Sequence, residues 1–306
     1  RSTPLYSSAA SDVYKRQYVF FNNYQRKRRM DVHNGVTLEG RCREASVEFP
    51  KLDLPSGSYG FFPYHFREGD GELLSTNATP LCRLQGKDGT SCVVFYSDWD
   101  PAFVWKDENH FPVLHLDRER ALQAWKVTLD RDYLILSDDY VWEKDGKLHI
   151  EGEKETVIRC YPKLKDLSVL PEGFEACGAD QEFTLYRRSK KAEDTRVTVM
   201  EENRNEDLRI YNLKIISPGT WRDTILSLDF GGDKIEIFRN GEMLTDSYYT
   251  GEPVQISLRY FDFPEELQVK IYPLKEGASK FLEHWPQMKD GCACELYVVG
   301  VKNLVW

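Results

Sequence analysis

Three short segments combine aromatic side chains with polar neighbours in a pattern that suits the binding of a sugar ring. They consist of Asp98 with Trp99, Trp221 with Arg222, and Asp246 with Tyr248 and Tyr249. A sugar ring has an apolar face that stacks on Trp or Tyr, while its hydroxyl groups exchange hydrogen bonds with Asp, Asn and Arg. The segments therefore predict carbohydrate binding. The alternative at each of them is that the aromatic side chains pack between two sheets.

No residue pattern in the sequence predicts catalysis or a bound cofactor. Two glycines at 231–232 precede a strand rather than a helix, so they do not place a helix N-terminus against a phosphate group. The six histidines are scattered. Cys292 and Cys294 lie two residues apart on one strand face, but no second Cys or His pair follows at ligand spacing. We therefore predict no catalytic residue, no metal site and no cofactor.

Charge and composition exclude several classes of partner. The chain has 306 residues with 50 acidic and 41 basic side chains, and its net charge of −9 argues against nucleic acid and anionic membranes as partners. The basic cluster at 25–29 is too short for a binding stripe and predicts a solvated loop. No apolar run reaches the about eighteen residues of a membrane span. Seven cysteines without framework spacing favour a reducing, cytoplasmic location.

The elements that position these residues are almost all strands. Short runs with period-two alternation, bounded by Gly, Pro, Asn and Asp, follow one another from Tyr18 onward. Two-residue turns are predicted at 145–146 and 240–241, which read Asp-Gly and Asn-Gly. Asp117 is expected to cap a short helix that carries Ala121, Leu122 and Trp125. The sequence predicts an all-β protein of two consecutive antiparallel β-sandwich domains, the second jelly-roll-like, with one short decorating helix.

The domain boundaries follow from changes in this pattern. Residues 1–17 show no strand or helix periodicity, and their last six resemble a translated transposon end used in sequencing libraries. We therefore expect a non-native tail, and a chain that is a fragment of a longer protein. A β-sandwich is predicted over 18–163 and a jelly-roll, galactose-binding-like domain over 181–306. A linker is predicted over 164–180, because the stretch 162–179 contains two Pro and two Gly.

Two sets of segments resemble family 35 glycoside hydrolases, the β-galactosidases and their bacterial relatives. The first set is 20–26 (FFNNYQR), 31–36 (DVHNGV), 60–64 (GFFPY) and 78–82 (ATPLC). It is similar to the region that follows the catalytic barrel of that family. The second set is 232–241 (GDKIEIFRNG), 246–251 (DSYYTG), 259–261 (RYF) and 272–274 (YPL). It is similar to the jelly-roll domain near the C-terminus of those enzymes.

The resemblance implies accessory domains rather than an enzyme active site. Family members cleave β-galactosides with two glutamates on barrel strands, about 5–5.5 Å apart in a retaining mechanism. This sequence has no alternation of strands and helices over the roughly 250 residues that such a barrel needs. Its one Asn-Glu pair, at 205–206, lies in a charged turn. The implied partners are the missing barrel and a galactoside; the alternatives are a stand-alone carbohydrate-binding pair and a purely structural β protein.

Overall fold

The computed structural model describes residues 9–11, 17–41, 46–204, 207–218 and 221–305. In these ranges the regular structure comprises twenty-nine strands, one five-residue α-helix and two 3-10 turns. The predicted all-β fold class is therefore confirmed. No helix of the described ranges combines the length and the apolar character needed to cross a membrane.

The first seventeen strands extend to residue 161. They are β1 (Ala9–Ser11), β2 (Gln17–Asn22), β3 (His33–Val36), β4 (Glu39–Arg41), β5 (Ser46–Glu48), β6 (Leu52–Leu54), β7 (Tyr59–Glu68), β8 (Gly71–Thr76), β9 (Thr79–Gln85), β10 (Ser91–Ser97), β11 (Phe103–Trp105), β12 (Val113–Asp117), β13 (Ala124–Thr128), β14 (Asp132–Leu136), β15 (Tyr140–Lys144), β16 (Lys147–Glu151) and β17 (Glu155–Tyr161). Helix α1 (Arg118–Leu122) lies between β12 and β13.

Twelve strands follow in the rest of the chain. They are β18 (Glu175–Asp180), β19 (Phe183–Ser189), β20 (Arg196–Arg204), β21 (Arg209–Ile216), β22 (Asp223–Gly231), β23 (Lys234–Arg239), β24 (Glu242–Tyr248), β25 (Val254–Ser257), β26 (Glu266–Tyr272), β27 (Leu274–Lys275), β28 (Cys292–Ala293) and β29 (Glu295–Leu304). The two 3-10 turns span Leu167–Val169 and Arg259–Phe261.

The chain divides into two compact units. The N-terminal unit contains the described residues up to Lys147, together with Ile158–Val169 and Cys177–Tyr186. The C-terminal unit contains Leu148–Val157, Leu170–Ala176 and the described residues from Arg187 onward. These units differ from the predicted ranges 18–163 and 181–306, because Leu148–Val157 groups with the C-terminal unit. The predicted linker at 164–180 holds a 3-10 turn and β18, which pairs with β19.

The N-terminal unit is built on a five-stranded sheet of order β1-β2-β7-β8-β11 and a three-stranded sheet of order β12-β10-β9. Alternation along β2 buries Val19 and Phe21 and leaves Phe20 exposed. Val19 and Phe21 form a buried cluster with Phe62 and Tyr64 of β7. A further sheet of order β13-β14-β17-β19-β18 follows. The pairing of β10 with β12 is parallel.

The C-terminal unit is a sandwich of a five-stranded and a three-stranded sheet. Their orders are β20-β21-β26-β23-β24 and β25-β22-β29, and the pairs in both are antiparallel. Inward side chains of both sheets form one core, which includes Ile235 and Ile237 from the first and Leu226 and Leu228 from the second. The eight strands of the two sheets accord with the predicted jelly-roll-like sandwich.

Local turn and cap chemistry follows the sequence patterns. The turn between β23 and β24 has positive φ at both central residues, 52° at Asn240 and 82° at Gly241. The predicted two-residue turn is therefore confirmed, and positive φ at both residues is typical of type I′. The side chain of Asp117 caps α1 by accepting a hydrogen bond from the Arg120 backbone nitrogen at 2.8 Å. Trp125, predicted on this helix, lies in β13 instead.

Four described residues of the N-terminal tail take part in strand pairing. Ala9–Ser11 pairs antiparallel with β2, which begins at Gln17. These four residues therefore take part in strand pairing although 1–17 shows no strand alternation, since backbone hydrogen bonds along a sheet edge need no side-chain periodicity. The other residues of this segment lie outside the described ranges. The non-native origin of the segment stays a prediction.

Candidate functional site

The outward-facing side chains of three neighbouring strands form a polar and aromatic surface on the C-terminal unit. Within β23, Ile235 and Ile237 are fully buried, so Lys234 and Glu236 project from the opposite side of the sheet. We define the outer face as this projecting set on β23, β24 and β26. It consists of Lys234, Glu236, Asp246, Tyr248, Lys270 and Tyr272.

Strand register places these six side chains in two rows across the sheet. Lys234 lies opposite Tyr248 on one side and Tyr272 on the other. Two residues further along β23, Glu236 lies opposite Asp246 and Lys270 in the same way. The first row therefore holds a lysine between two tyrosines. The second row holds a glutamate between an aspartate and a lysine. Directly opposed side chains are close enough to interact.

Hydrogen bonds fix the charged groups of the outer face. Glu236 Oε1 accepts from Lys234 Nζ at 2.7 Å, and Glu236 Oε2 accepts from the Tyr272 hydroxyl at 2.9 Å. Burial raises the pKa of the Glu236 carboxyl, but these two hydrogen bonds outweigh it and leave the pKa below its ordinary value. The same bond to Glu236, followed by the interaction with Asp246, raises the pKa of Lys234. Glu236 is therefore held ionised and Lys234 protonated at neutral pH.

The aromatic rings of the outer face are partly open to solvent. Tyr248 is 63% exposed. Lys280 Nζ lies 5.8 Å from the centre of its ring and is held by Asp233 Oδ1 at 2.8 Å. Tyr249, the next residue, points to the other side and packs edge-on against Phe230, with ring centres 5.6 Å apart. Of the three residues predicted here, Asp246 and Tyr248 therefore share the outer face, and Tyr249 packs against the core on the other side.

The polar character of this side of the sheet continues onto β21 and β20. Asn212 Nδ2 donates to Glu202 Oε2 at 3.0 Å, and Gln268 Nε2 donates to the same oxygen at 3.2 Å. Lys270 Nζ lies 4.1 Å from the centre of the Phe238 ring. Chemically, the surface combines flat rings for stacking with carboxylate and amide groups for hydrogen bonds, which is the combination that a row of sugar rings needs.

The second predicted segment lies at one end of the same sandwich. Trp221 is 6% exposed, and its indole nitrogen donates to the Glu193 carbonyl at 3.0 Å. The Arg222 backbone nitrogen donates to the Leu304 carbonyl at 2.8 Å. Burial leaves little of the Trp221 ring for stacking. The side chain nevertheless lines a polar cleft with residues of β29.

The predicted segment of Asp98 and Trp99 packs within the N-terminal unit. The Trp99 indole nitrogen donates to the Asp53 carbonyl at 2.8 Å. Its ring lies edge-on to Phe21 and Phe62, with centres 5.8 and 5.9 Å apart. Asp98 forms a two-point ion pair with Arg118, at 2.7 and 2.5 Å. Trp99 therefore contributes to packing, and Asp98 is engaged by a neighbouring side chain.

The described residues contain no group of three or more His, Cys, Asp or Glu side chains that could hold a metal ion. Cys292 begins the short strand β28, and its backbone pairs with Lys275. Burial raises the pKa of the nearby Cys294 thiol. The Asn-Glu pair at 205–206 lies outside the described ranges.

Four of the six outer-face residues were not among the predicted binding residues: Lys234, Glu236, Lys270 and Tyr272. The alternation of Lys234 and Glu236 with buried isoleucines nevertheless marks these two as outward-facing. The signal that could have found them is the Asn240–Gly241 turn, which fixes the register of β23 against β24. No comparable local signal pairs β23 with Tyr272, which lies 36 residues from Glu236.

Comparison with known proteins adds no assignment. No protein-family model matches the sequence, and no curated protein is significantly similar to it.

Proposed function

We propose that this chain forms the accessory, non-catalytic β-domains of a β-galactosidase-like glycoside hydrolase, and that the outer face of its C-terminal unit binds carbohydrate. The observation that supports binding most is the row Tyr248, Lys234, Tyr272 beside Asp246 and Glu236. The sandwich fold and the resemblance of 232–251 to the jelly-roll domain of family 35 enzymes support the assignment to that class. A cytoplasmic location belongs to the same proposal, on the ground of seven cysteines without framework spacing.

The binding mode follows from the arrangement of the outer face. The exposed Tyr248 ring offers an apolar surface to one sugar ring. Asp246 lies two residues before Tyr248 on β24 and is also exposed. It accepts hydrogen bonds from the hydroxyl groups of the next ring. Because Lys234 holds the neighbouring carboxylate of Glu236, the surface is ordered before the ligand arrives. The expected ligand is a galactoside that lies across the strands.

Calorimetric titration with lactose and with a soluble β-1,4-galactan tests this mode. Tyr248→Ala is expected to weaken binding about three- to tenfold, since a stacked ring contributes roughly 0.5–1.5 kcal/mol. Tyr260→Ala is the matched control, because Tyr260 is 84% exposed and lies on a 3-10 turn rather than among the outer-face residues. Equal affinities for the two variants, or no binding by the parent chain, would overturn the binding proposal.

The DNA sequence upstream of this coding region tests the accessory role separately from carbohydrate binding. A reading frame that encodes a (β/α)₈ barrel directly upstream of the codon for Tyr18 is expected. A stop codon at that place would instead favour a stand-alone carbohydrate-binding pair. A purely structural role is the second candidate for the N-terminal unit, and the contacts of Trp99 with Phe21 and Phe62 favour it.

A further inference from the structure

The core of the C-terminal sandwich gives way to polar residues at one end. Along the pairing of β22 with β29, Leu226 lies opposite Val301 on the inward side. The next inward pair toward this end is Thr224 opposite Asn303, and both are at least nine-tenths buried. Polar side chains at inward positions cost free energy unless they form hydrogen bonds. The hydrogen bonds of Thr224 and Asn303 therefore show which of their polar groups are satisfied within the protein and which are open to a ligand.

Asn303 has one satisfied and one open hydrogen-bonding group. Its Oδ1 accepts from the Thr224 hydroxyl at 3.0 Å. Its Nδ2, a donor of two hydrogens, has no partner among the described residues. The side chain is 9% exposed and lines the polar cleft. The amide nitrogen itself opens into the cleft, since it is not among the buried side-chain nitrogen and oxygen atoms that lack a hydrogen-bond partner, so an acceptor bound in the cleft can take its hydrogens.

A group of hydroxyl side chains contacts Thr224, the hydrogen-bond partner of Asn303. Thr195 Oγ1 lies 3.4 Å from Thr224 Oγ1 and 3.2 Å from Ser217 Oγ. Thr195 is 5% exposed and also lines the cleft. The hydroxyls therefore orient the Asn303 amide, with its oxygen turned toward Thr224 and its nitrogen left for another group.

The cleft has the size of one sugar ring and a mixed polar lining. Its volume is about 330 Å³, at the small end of the range usual for ligand sites. The lining residues, all within the C-terminal unit, are Glu153, Lys154, Asp194, Thr195, Trp221, Val301 and Asn303. Lys154 Nζ lies 2.7 Å from Asp194 Oδ2, and Lys302 Nζ lies 3.9 Å from Glu153 Oε1.

These groups select one class of ligand. An anion is disfavoured, because two carboxylates line the cleft and its one lining ammonium group is already paired with Asp194. A purely apolar ligand would cover the open amide donor without offering it an acceptor, and would remove water from the ion pairs of Asp194 and Glu153. A neutral polyol meets both demands, since each hydroxyl group accepts from the amide and donates to a carboxylate.

We infer that this cleft binds a single neutral, hexose-sized sugar ring, one of whose hydroxyl oxygens accepts a hydrogen bond from Asn303 Nδ2. Glu153 and Asp194 accept from other hydroxyl groups of the same ring. The site differs from the outer face, and its existence does not rest on carbohydrate binding there. The cleft has room for a single sugar ring, whereas the outer face suits several sugar rings in a row.

A nitrogen-15 NMR titration of the full chain with galactose and with glucose tests the inference. Saturable shifts are expected for the Asn303 side-chain amide and the Trp221 indole resonance. Asn303→Asp keeps the oxygen that Thr224 contacts and removes the donor, so affinity should fall about three- to tenfold, the worth of one hydrogen bond. Asn109→Asp makes the same substitution at an exposed position of the N-terminal unit, outside both proposed sites, and should leave the affinity unchanged.

A second variant keeps the test decisive if Asn303→Asp does not fold. Asp194 is exposed, so Asp194→Ala is expected to fold, to weaken galactose binding and to release Lys154 for galacturonate. Shifts that saturate only at the outer face, shifts that persist unchanged in both cleft variants, or tighter binding of galacturonate than of galactose by the parent chain would each overturn the inference. Loss of outer-face binding alone, as in Tyr248→Ala, would leave it intact.

Discussion

The Tyr272 hydroxyl donates a hydrogen bond to Glu236 Oε2 at 2.9 Å, between the adjacent strands β26 and β23. Together with the Lys234 ammonium group at 2.7 Å from Oε1, it keeps the pKa of Glu236 below its ordinary value against the opposing effect of burial. A carboxyl whose pKa is lowered by folding stabilises the fold above its unfolded pKa. That contribution is lost as the pH falls through the lowered folded-state value.

Tyr272→Phe is expected to raise the pKa of Glu236, because one of its two hydrogen-bond donors disappears while Lys234 remains. The free energy of unfolding at neutral pH should fall by about 0.5–1.5 kcal/mol. Carbon-13 NMR titration of the Glu236 carboxyl and urea unfolding measure the two effects. Tyr260→Phe is the control, since the Tyr260 side chain is 84% exposed. An unchanged Glu236 pKa in Tyr272→Phe would show that Lys234 alone holds the carboxylate.

The isolated chain is expected to have no β-galactosidase activity. Its described strands form sheets of two, three and five strands, and none of these is an eight-stranded parallel barrel that could hold two glutamates at catalytic spacing. Assay with a chromogenic β-galactoside should give hydrolysis at the rate of buffer alone. Turnover above that rate that disappears in Glu206→Gln would contradict the prediction and make the Asn-Glu pair at 205–206 catalytic.

Gly241→Val is expected to destabilise the C-terminal unit by about 1–3 kcal/mol. Gly241 has a φ of 82°, and no atom lies within 4 Å of the position that an added Cβ would occupy, so the cost comes from the backbone conformation rather than from a clash. Gly241→Asn should cost less, because Asn tolerates positive φ. Glu242→Val, one residue further into β24, is the control for adding a β-branched side chain.

Urea unfolding and amide exchange of β23 and β24 measure the effect of the turn variants. Faster exchange confined to the residues near the turn, together with a lower unfolding free energy for Gly241→Val than for Glu242→Val, is the expected result. If the two valine variants unfold at the same urea concentration, the turn does not depend on positive φ at Gly241.

Features that depend on neighbouring residues were predictable from the sequence. The Asn240–Gly241 turn, the Asp145–Gly146 turn with φ of 54° and 72°, and the Asp117 cap each follow from the chemistry of two to four consecutive residues. The alternation that buries Ile235 and Ile237 is likewise local. Fold class follows because many such strands and turns succeed one another with one short helix.

Features that depend on the pairing of distant strands were not predictable in the same way. Thr224 and Asn303 meet across 79 residues of sequence, and nothing around either residue specifies the other. The linker predicted at 164–180 is another case, because its Pro and Gly content indicates turns but does not exclude the strand β18. Trp99 shows the same limit, since the turn-like sequence around it does not reveal that Phe21 and Phe62 surround its ring.

Trp99→Ala distinguishes packing from sugar binding at the predicted segment of Asp98 and Trp99. The ring contacts Phe21 and Phe62, and the indole donates to the Asp53 carbonyl, so its removal should destabilise the N-terminal unit. We expect a loss of about 2–4 kcal/mol, below the cost of removing a fully buried Trp because Trp99 is only partly buried. Trp99→Phe should cost less, since it retains an aromatic ring and loses the hydrogen bond.

The measurement is the free energy of unfolding of each variant, combined with lactose titration at a temperature where all variants are folded. Packing predicts a stability loss that is larger for Ala than for Phe, with unchanged affinity for lactose. A sugar-binding role predicts the reverse, with affinity lost in both variants and little change in stability. Asp98→Asn is the companion control, because it weakens the ion pair with Arg118 at an exposed position and should change stability by less than about 1 kcal/mol.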